Sequence, residues 1–352
     1  MECVVRQDFD PAWDEFVQNH PEGTFFHLWG WREVLTRSFG YEPFYLFVKE
    51  GENIQGVMPL FLVRSLLFGK SFVTIPLGVY GGPIARSEAA EIALLEMAKQ
   101  LAKRHRARYL EIRGNPYRSK TQLTVADANH NSFWERNLYF TFIAEIDHSL
   151  DVNMSRIPRK QRRMIRQGQK HGLTAVVDNS RLRDCYNVYA ESVWNLGTPV
   201  FSYAYFQRLV ETFGQQCKVL VVEFKDKVVA AVLTFLYKDQ ILPYYGGALR
   251  GYFHLGTNDF MYWELMSYGA ANGCRIFDFG RSKKGTGSFD FKRHWGFEPR
   301  ALTYWYQSLN GHAVPDTSSK NPKLQWAIRL WRNLPLALTK GIGPHFSKHI
   351  VP

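Results

Sequence analysis

The feature that most constrains this chain is an internal echo. Tyr80-Gly81-Gly82 returns as Tyr245-Gly246-Gly247, 165 residues on (80 to 245). The Arg-led run Arg108-Tyr109-Leu110-Glu111-Ile112 returns as Arg275-Ile276-Phe277-Asp278-Phe279, 167 residues on (108 to 275). Two anchors in the same order at nearly the same separation argue for one unit used twice. Around the first pair, a strand ends at Leu46-Phe47-Val48-Lys49, turns at Glu50-Gly51-Glu52-Asn53 and returns from Ile54 to Val63. A third strand runs from Ser71 to Ile75, a helix spans 88–105 with Ile92, Leu95 and Leu101 at helical spacing, and 108–112 closes the unit. Around the second pair come Val219 to Phe224, a turn at Lys225-Asp226-Lys227, Val228 to Tyr237, Ile241 to Tyr245, a helix from Asn258 to Ala271 and the strand 275–279. Each Tyr-Gly-Gly step is expected at a strand end, just before the loop to its helix. The architecture predicted is α+β: a β-β-β-α-β unit in duplicate, with mixed sheets flanked by helices.

A chain of 352 residues has room for two such cores. The expected division is 1–148 for the first domain and 149–310 for the second, opened by a basic helix. A polar linker and a basic amphipathic helix follow over 311–352. The composition, 45% hydrophobic and 22% charged, is that of a soluble globular protein. The N-terminus lacks the apolar core of a signal peptide. The longest apolar run, Val228 to Tyr237, is too short for a membrane span. Cys3, Cys185, Cys217 and Cys274 form no CxxC pair, so no disulfide framework or zinc site is predicted and the chain is expected to fold in the cytoplasm. The net charge of +12 favours anionic partners, namely phosphates, nucleotide-linked sugars, RNA or an acidic membrane surface. It does not choose among them, and nothing indicates DNA.

Several chemistries are excluded by pattern. There is no HExxH or paired-His spacing, and Gly285-Thr286-Gly287-Ser288 has the wrong order for a nucleophile elbow. Gly280 to Thr286 mimics a P-loop but lacks its lysine and opens no clear helix. By contrast, Gly246-Gly247-Ala248 and the loop Arg250 to Gly256 lead straight into the helix from Asn258. Backbone amides at such a start can hold an anion, the geometry GNAT enzymes use for the pyrophosphate of coenzyme A. Tyr245 and Asn258 are the binding candidates of this segment.

The run from "YYGGA" through "FDFGRS" (Asp278, Arg281) to "GSFDFKRHWGF" (Phe291, Lys292) resembles the second domain of FemAB-type proteins. It is most similar to the branch found beside exopolysaccharide and PEP-CTERM sorting genes. Phe25 to Trp31, Gly40-Tyr41-Glu42 and "YGGPIA" at 80–85 resemble the family's first domain. The resemblance implies two tandem GNAT-like domains. It also implies transfer of an aminoacyl or acyl group to an amine or hydroxyl of a cell-wall or exopolysaccharide precursor. The family's catalytic phenylalanine–lysine pair matches Phe291-Lys292. Its Lys-x-Arg-x-x-Ile helix matches Lys160 to Ile165, where an arginine binds precursor phosphates; the matching residue is Arg162. Arg166 lies one turn on, and guanidinium forks suit phosphate oxygens. Asp278 is expected to end a buried strand and to orient Arg281 or Lys292.

The partners so implied are an anionic acyl donor and a nucleotide- or lipid-linked sugar acceptor, with no tightly bound cofactor and no metal. The donor is left between aminoacyl-tRNA and acyl-CoA. The family's tRNA-dependent members carry a long coiled-coil arm, and nothing between Asn179 and Cys217 is long enough for one. The alternatives are an acetyl-CoA-dependent N-acetyltransferase and a non-catalytic RNA-binding or scaffold protein of a polysaccharide export system. Near the end, Leu324, Ala327, Leu330, Trp331 and Leu334 make one helical stripe. It is expected to dock on the protein itself, with a peripheral inner-membrane contact through 322–340 as the alternative.

Overall fold

Strands that are apolar almost end to end need cover on both faces. In this protein they have it. The computed structural model describes residues 1–66, 68–117, 133–309 and 328–349. Two compact units divide them: the first draws on Met1–Tyr139, Ala301–Thr317 and Lys348–Pro352, the second on Phe140–Arg300 and Ser318–Ser347.

The sheet of the first unit runs β1 (Glu2–Arg6), β2 (Glu42–Glu50), β3 (Asn53–Ser65), β4 (Gly69–Val73), with the short β5 (Ile84–Ala85) set on β3, then β6 (Tyr109–Arg113) and a final strand, Pro299–Ser308. Every pairing is antiparallel except β4 with β6. Alternate side chains go to opposite faces. Phe44, Leu46 and Val48 of β2 pack with Leu94, Leu95 and Ala98 of a long helix, Glu88–Arg104. Tyr45 and Phe47 go the other way and meet Trp13, ring centroids 4.6 and 4.9 Å away, on the helix Pro11–Asn19.

The second unit repeats this order from edge to edge: β8 (Thr174–Val177), β9 (Cys217–Phe224), β10 (Lys227–Tyr237), β11 (Gln240–Ala248), β12 (Ile276–Asp278) and β7 (Trp134–Glu145). Again one pairing is parallel, β11 with β12. The turn between β9 and β10 has Lys225 and Asp226 both at positive φ (49° and 63°), the two-residue turn whose twist suits a tight hairpin. Helices Leu182–Leu196 and Tyr203–Phe213 cover one face, and Thr257–Ala271 the other. The duplicated unit is therefore present. The two Tyr-Gly-Gly steps hold the same place in the order but differ in form. Tyr245-Gly246-Gly247 lies within β11, whereas Tyr80-Gly81-Gly82 follows β4 in irregular backbone, Tyr80 buried against Phe26 and Tyr117.

The expected divisions at 148/149 and 310/311 do not coincide with the compact units. The physical reason is an exchange of strands. After β6 the chain enters β7, which pairs with β12 of the second unit; after β12 it reaches Pro299–Ser308, which pairs with β6 of the first. Residues 140–148 thus belong with the second unit and 301–309 with the first.

The linker 311–321 and positions 322–327, including Leu324 and Ala327, lie outside the described residues. From 328 a helical turn leads to the helix Leu336–Ser347. This segment docks on Leu182–Leu196: Trp194 Nε1 donates to the Leu334 carbonyl (2.9 Å), and Lys340 Nζ to Asn187 Oδ1 (2.9 Å). Trp331 is buried as the stripe requires, but Leu330 is half exposed. Among the described residues no helix is long and apolar enough to cross a membrane.

The exchange has a consequence for folding. A fragment of residues 1–148 lacks Tyr304, Trp305 and Tyr306, all buried. It is expected to show no cooperative urea transition by near-ultraviolet circular dichroism, while the whole chain does. In the whole chain Trp305→Ala should cost about 3–5 kcal/mol by the same measurement.

Candidate active site

Strand β12 ends at Asp278, which has no exposed surface. A buried carboxylate must be satisfied by donors. Its Oδ1 accepts from Thr141 Oγ1 (2.9 Å) on β7 and from the Gly280 backbone N–H (2.8 Å). The second bond folds the chain back on itself, a turn that an Asp side chain makes with the backbone two residues on. Gly280 itself has φ of +66°, a value that glycine takes without strain. The carbonyls of Phe279, Gly280 and Arg281 consequently converge on one point, and Lys292 fills it. Its Nζ donates to the three oxygens at 2.6, 3.1 and 3.3 Å. Each N–H of the ammonium thus has an acceptor.

Lys292 is delivered by a helix, Gly287–His294, capped by the Thr286 hydroxyl, which accepts from the Phe289 N–H. The expectation that no clear helix opens after Gly285 is corrected here. Phe289 and Lys292 are the two buried residues of this eight-residue helix, spaced one turn apart, and the Thr286 cap fixes its start. Burial pushes the Lys292 amine down to about 7; Asp278 opposes that shift and Arg281 adds to it. An amine of this kind changes charge near neutral pH.

Aromatic rings wall the group. Phe291, half-buried, lies 5.5 Å from Tyr262, which lies 4.9 Å from Phe279. Trp295 is fully buried and its indole N–H donates to Asp259 Oδ1 (3.0 Å). Burial pushes the Asp259 carboxyl up to about 6, with the Trp295 bond and, last, Lys160 pulling it down. Neither Asp259 nor Trp295 is among the expected site residues. The available signal was the Trp-Gly of the "FKRHWGF" run and the acid next to Asn258.

The basic helix Arg159–Lys170 turns Gln161, Ile165 and Gly168 inward, where Gly168 lies against Phe260. Arg159, Lys160, Arg162, Arg163 and Arg166 surround an open hollow of about 770 Å³. Lys160 and Arg166 are exposed and Arg162 half-buried. Among the described residues neither Arg162 nor Arg166 has an ion-pair partner. Like charges at helical neighbour positions repel, so a bound anion would relieve them. The start of this helix sits beside the Lys292 helix: a Cβ added at Gly296 would lie 3.0 Å from Pro158 Cγ.

Not every expected residue joins this neighbourhood. The Tyr245 hydroxyl lies 2.9 Å from that of Tyr205, in a buried cluster with Tyr189 and Phe206, and burial holds its phenol well above the ordinary range. That is core packing under the helices 182–196 and 203–213. Asn258 is the second residue of the helix Thr257–Ala271 and half-buried. The start of this helix is tightly packed. A Cβ at Gly256 would fall 2.5 Å from the Met164 carbonyl oxygen, and the Asp259 carboxyl occupies the same first turn.

Beyond Gln240↔Ile276 and Ile241↔Phe277 the parallel strands β11 and β12 are no longer paired, while β11 continues to Ala248. Lys292 is held just past the end of β12. Residues 155–293 match the family described as acetyltransferase (GNAT) domain. The fold is tandem GNAT-like. The crystal structure of FemX matches with a TM-score of 0.68 at 16% identity, covering 88% of this chain and 98% of that one. A tandem GNAT protein from the clavulanic acid biosynthesis pathway matches at 0.52 and 11%, covering 87% and 98%. So does the C-terminal domain of a putative lysylphosphatidylglycerol synthetase from Agrobacterium fabrum, at 0.52 and 13%, covering 80% and 88%. No curated protein matches the sequence.

The depressed lysine makes a pH prediction. Its amine titrates at 10.5 when free and at about 7 when folded. Between those values the unfolded chain binds more protons, so stability rises with pH across that window. From pH 7 to 9 the parent should gain about 2–3 kcal/mol more stability than Lys292→Met, measured by urea unfolding at each pH. Equal gains would show that Lys292 is not held as described.

Proposed function

We propose that this protein is an acyltransferase that moves an acyl or aminoacyl group from an activated ester or thioester to an amine or hydroxyl on a phosphate-bearing sugar precursor of the cell wall or of an exopolysaccharide. The observation that carries this reading is Lys292: a buried amine with its pKa near 7, fixed at the end of the parallel strand pair of a GNAT-matched domain. Attack on an acyl carbonyl needs the nucleophile to lose a proton, and a base is most effective when its pKa lies near the working pH. Neutral Lys292 can accept that proton and still donate two N–H bonds to its carbonyl cradle. Once protonated, it places a positive charge beside the developing oxyanion. Phe291 and Tyr262 line the apolar side of the group. Asp278 positions the cradle and transfers no proton.

Arg162 and Arg166, with Lys160 beside them, are the candidates for holding substrate phosphates. The crowding of Gly256 by Met164 disfavours the coenzyme A pyrophosphate at the start of the helix Thr257–Ala271. We therefore place the donor's or acceptor's anionic end on the basic helix and rank a purely acetyl-CoA-dependent enzyme second.

The test offers labelled aminoacyl-tRNA and acetyl-CoA as donors to extracts of sugar precursors, with products read by mass spectrometry. Transfer should rise with pH through about 7. Lys292→Met should lower turnover by about 10²-fold or more. Arg162→Ala/Arg166→Ala should raise KM about tenfold with kcat little changed, because phosphate contacts are largely equal in ground and transition states. Normal turnover by Lys292→Met ends the mechanistic reading.

A further inference from the structure

The helix Leu336–Ser347 is packed inside out. Its buried row is Thr339, Gly343 and Ser347, spaced four apart. A Cβ on Gly343 would come within 2.8 Å of the Val200 backbone, so small residues are what that contact admits. The hydroxyls of Thr339 and Ser347 are satisfied within the helix, on the carbonyls of Leu336 (2.8 Å) and Pro344 (3.2 Å), which keeps the cost of burying them low. The adjacent row, Leu338, Ile342 and Phe346, is left outside. Leu338 is 46% exposed and Phe346 49%, with Ile342 half-buried between them. A helix made only to dock on its own protein would turn those residues inward instead.

The apolar row is not isolated. Phe346 packs edge-on against Trp331, ring centroids 5.7 Å apart, and the neighbouring Leu330 is 50% exposed. Arg332 donates to the carbonyl of Leu196, itself 58% exposed (3.1 Å). Grouped exposure of this kind marks a contact surface, whereas single exposed leucines do not. Charge indicates what it contacts. From residue 317 to the last, the sequence contains no Asp or Glu but six Lys and Arg. Exposed Arg329 and Arg332 border the apolar groups. Asp184, Glu191 and Asp226 lie on the Leu336 and Lys340 side of the helix, away from the apolar row, so the exposed charges beside Leu330 are basic, and an anionic bilayer matches both that charge and the apolar row. Twelve residues are too few to span a bilayer and enough to lie in its interface.

We propose that the face carrying Leu330, Leu338, Ile342 and Phe346 seats this protein on an anionic phospholipid surface, with Arg329 and Arg332 meeting lipid phosphates. This shifts the membrane contact expected at 322–340 onto a described helix and reverses the residues it uses. Each basic group near such a surface contributes about 1 kcal/mol, and the apolar side chains add to it as they leave water.

The whole chain is mixed with phosphatidylcholine vesicles, or with vesicles about one-third phosphatidylglycerol, and the bound fraction measured by co-sedimentation. Binding is expected on the anionic vesicles only and should weaken in high salt. Leu330→Ser/Leu338→Ser changes only exposed positions and leaves the Trp331–Phe346 contact in place, so its melting temperature should match the parent's. Its partition onto anionic vesicles should fall by about tenfold or more. Parent protein left in the supernatant, or a double variant that sediments like the parent, overturns the proposal. So does a dimer seen by light scattering that the double variant dissolves, since a second copy would then be what covers the face. None of these outcomes depends on transfer activity, so acyltransferase chemistry and membrane seating can fail separately.

Discussion

Each sheet in this protein is finished by a strand that the chain supplies from outside that sheet's own run of sequence. β6 of the first unit waits for Pro299–Ser308, and β12 of the second has β7 already delivered before its own strands are reached. A central strand without a neighbour leaves a row of buried N–H and C=O groups unpaired, which is costly. The first unit cannot settle until nearly three hundred residues have been joined. The second can close as soon as β12 forms. The exchange also brings Thr141 of β7 against Asp278, so the same strand that completes the sheet supplies a ligand to the carboxylate behind Lys292.

From that contact the site follows by short steps. Asp278 is satisfied by Thr141 and by the Gly280 amide; the chain turns there through a left-handed glycine; the turn gathers three carbonyls; the carbonyls solvate an amine that burial would otherwise expel. Desolvation and carbonyl dipoles act on Lys292 in opposite senses, and Asp278 and Arg281 do so as well. A group balanced this way titrates near neutrality, where proton transfer to and from substrate costs little. The Lys292 cradle is thus at once a structural cap on β12 and the most chemically poised group in the second unit.

The surface charge of this chain is not spread evenly in purpose. The arginines of helix Arg159–Lys170 crowd one another around a hollow close to the Lys292 helix. Those near the C-terminus flank exposed leucine and phenylalanine instead. The first arrangement suits a discrete phosphate, the second an extended anionic surface. An overall charge of +12 describes both and separates neither.

The repeat, the strand-turn-strand units and the helices after each Tyr-Gly-Gly step were legible in the sequence. They depend on alternation, helical spacing and turn residues that act within a few positions. The "FDFGRS" and "FKRHWGF" runs were likewise visible as one chemical unit. That Lys292 meets the carbonyls of Phe279, Gly280 and Arg281 follows from their short separation in the chain. What only the tertiary structure decided were contacts between distant segments. Tyr245 is a packing residue because Tyr205, forty positions earlier, meets its hydroxyl. The backbone just before Asn258 is crowded because the Met164 carbonyl lies against Gly256. The first sheet ends on a strand almost two hundred residues from its neighbour. Local propensity carries no record of such pairings, since the free energy that selects them arises only when both partners leave water together.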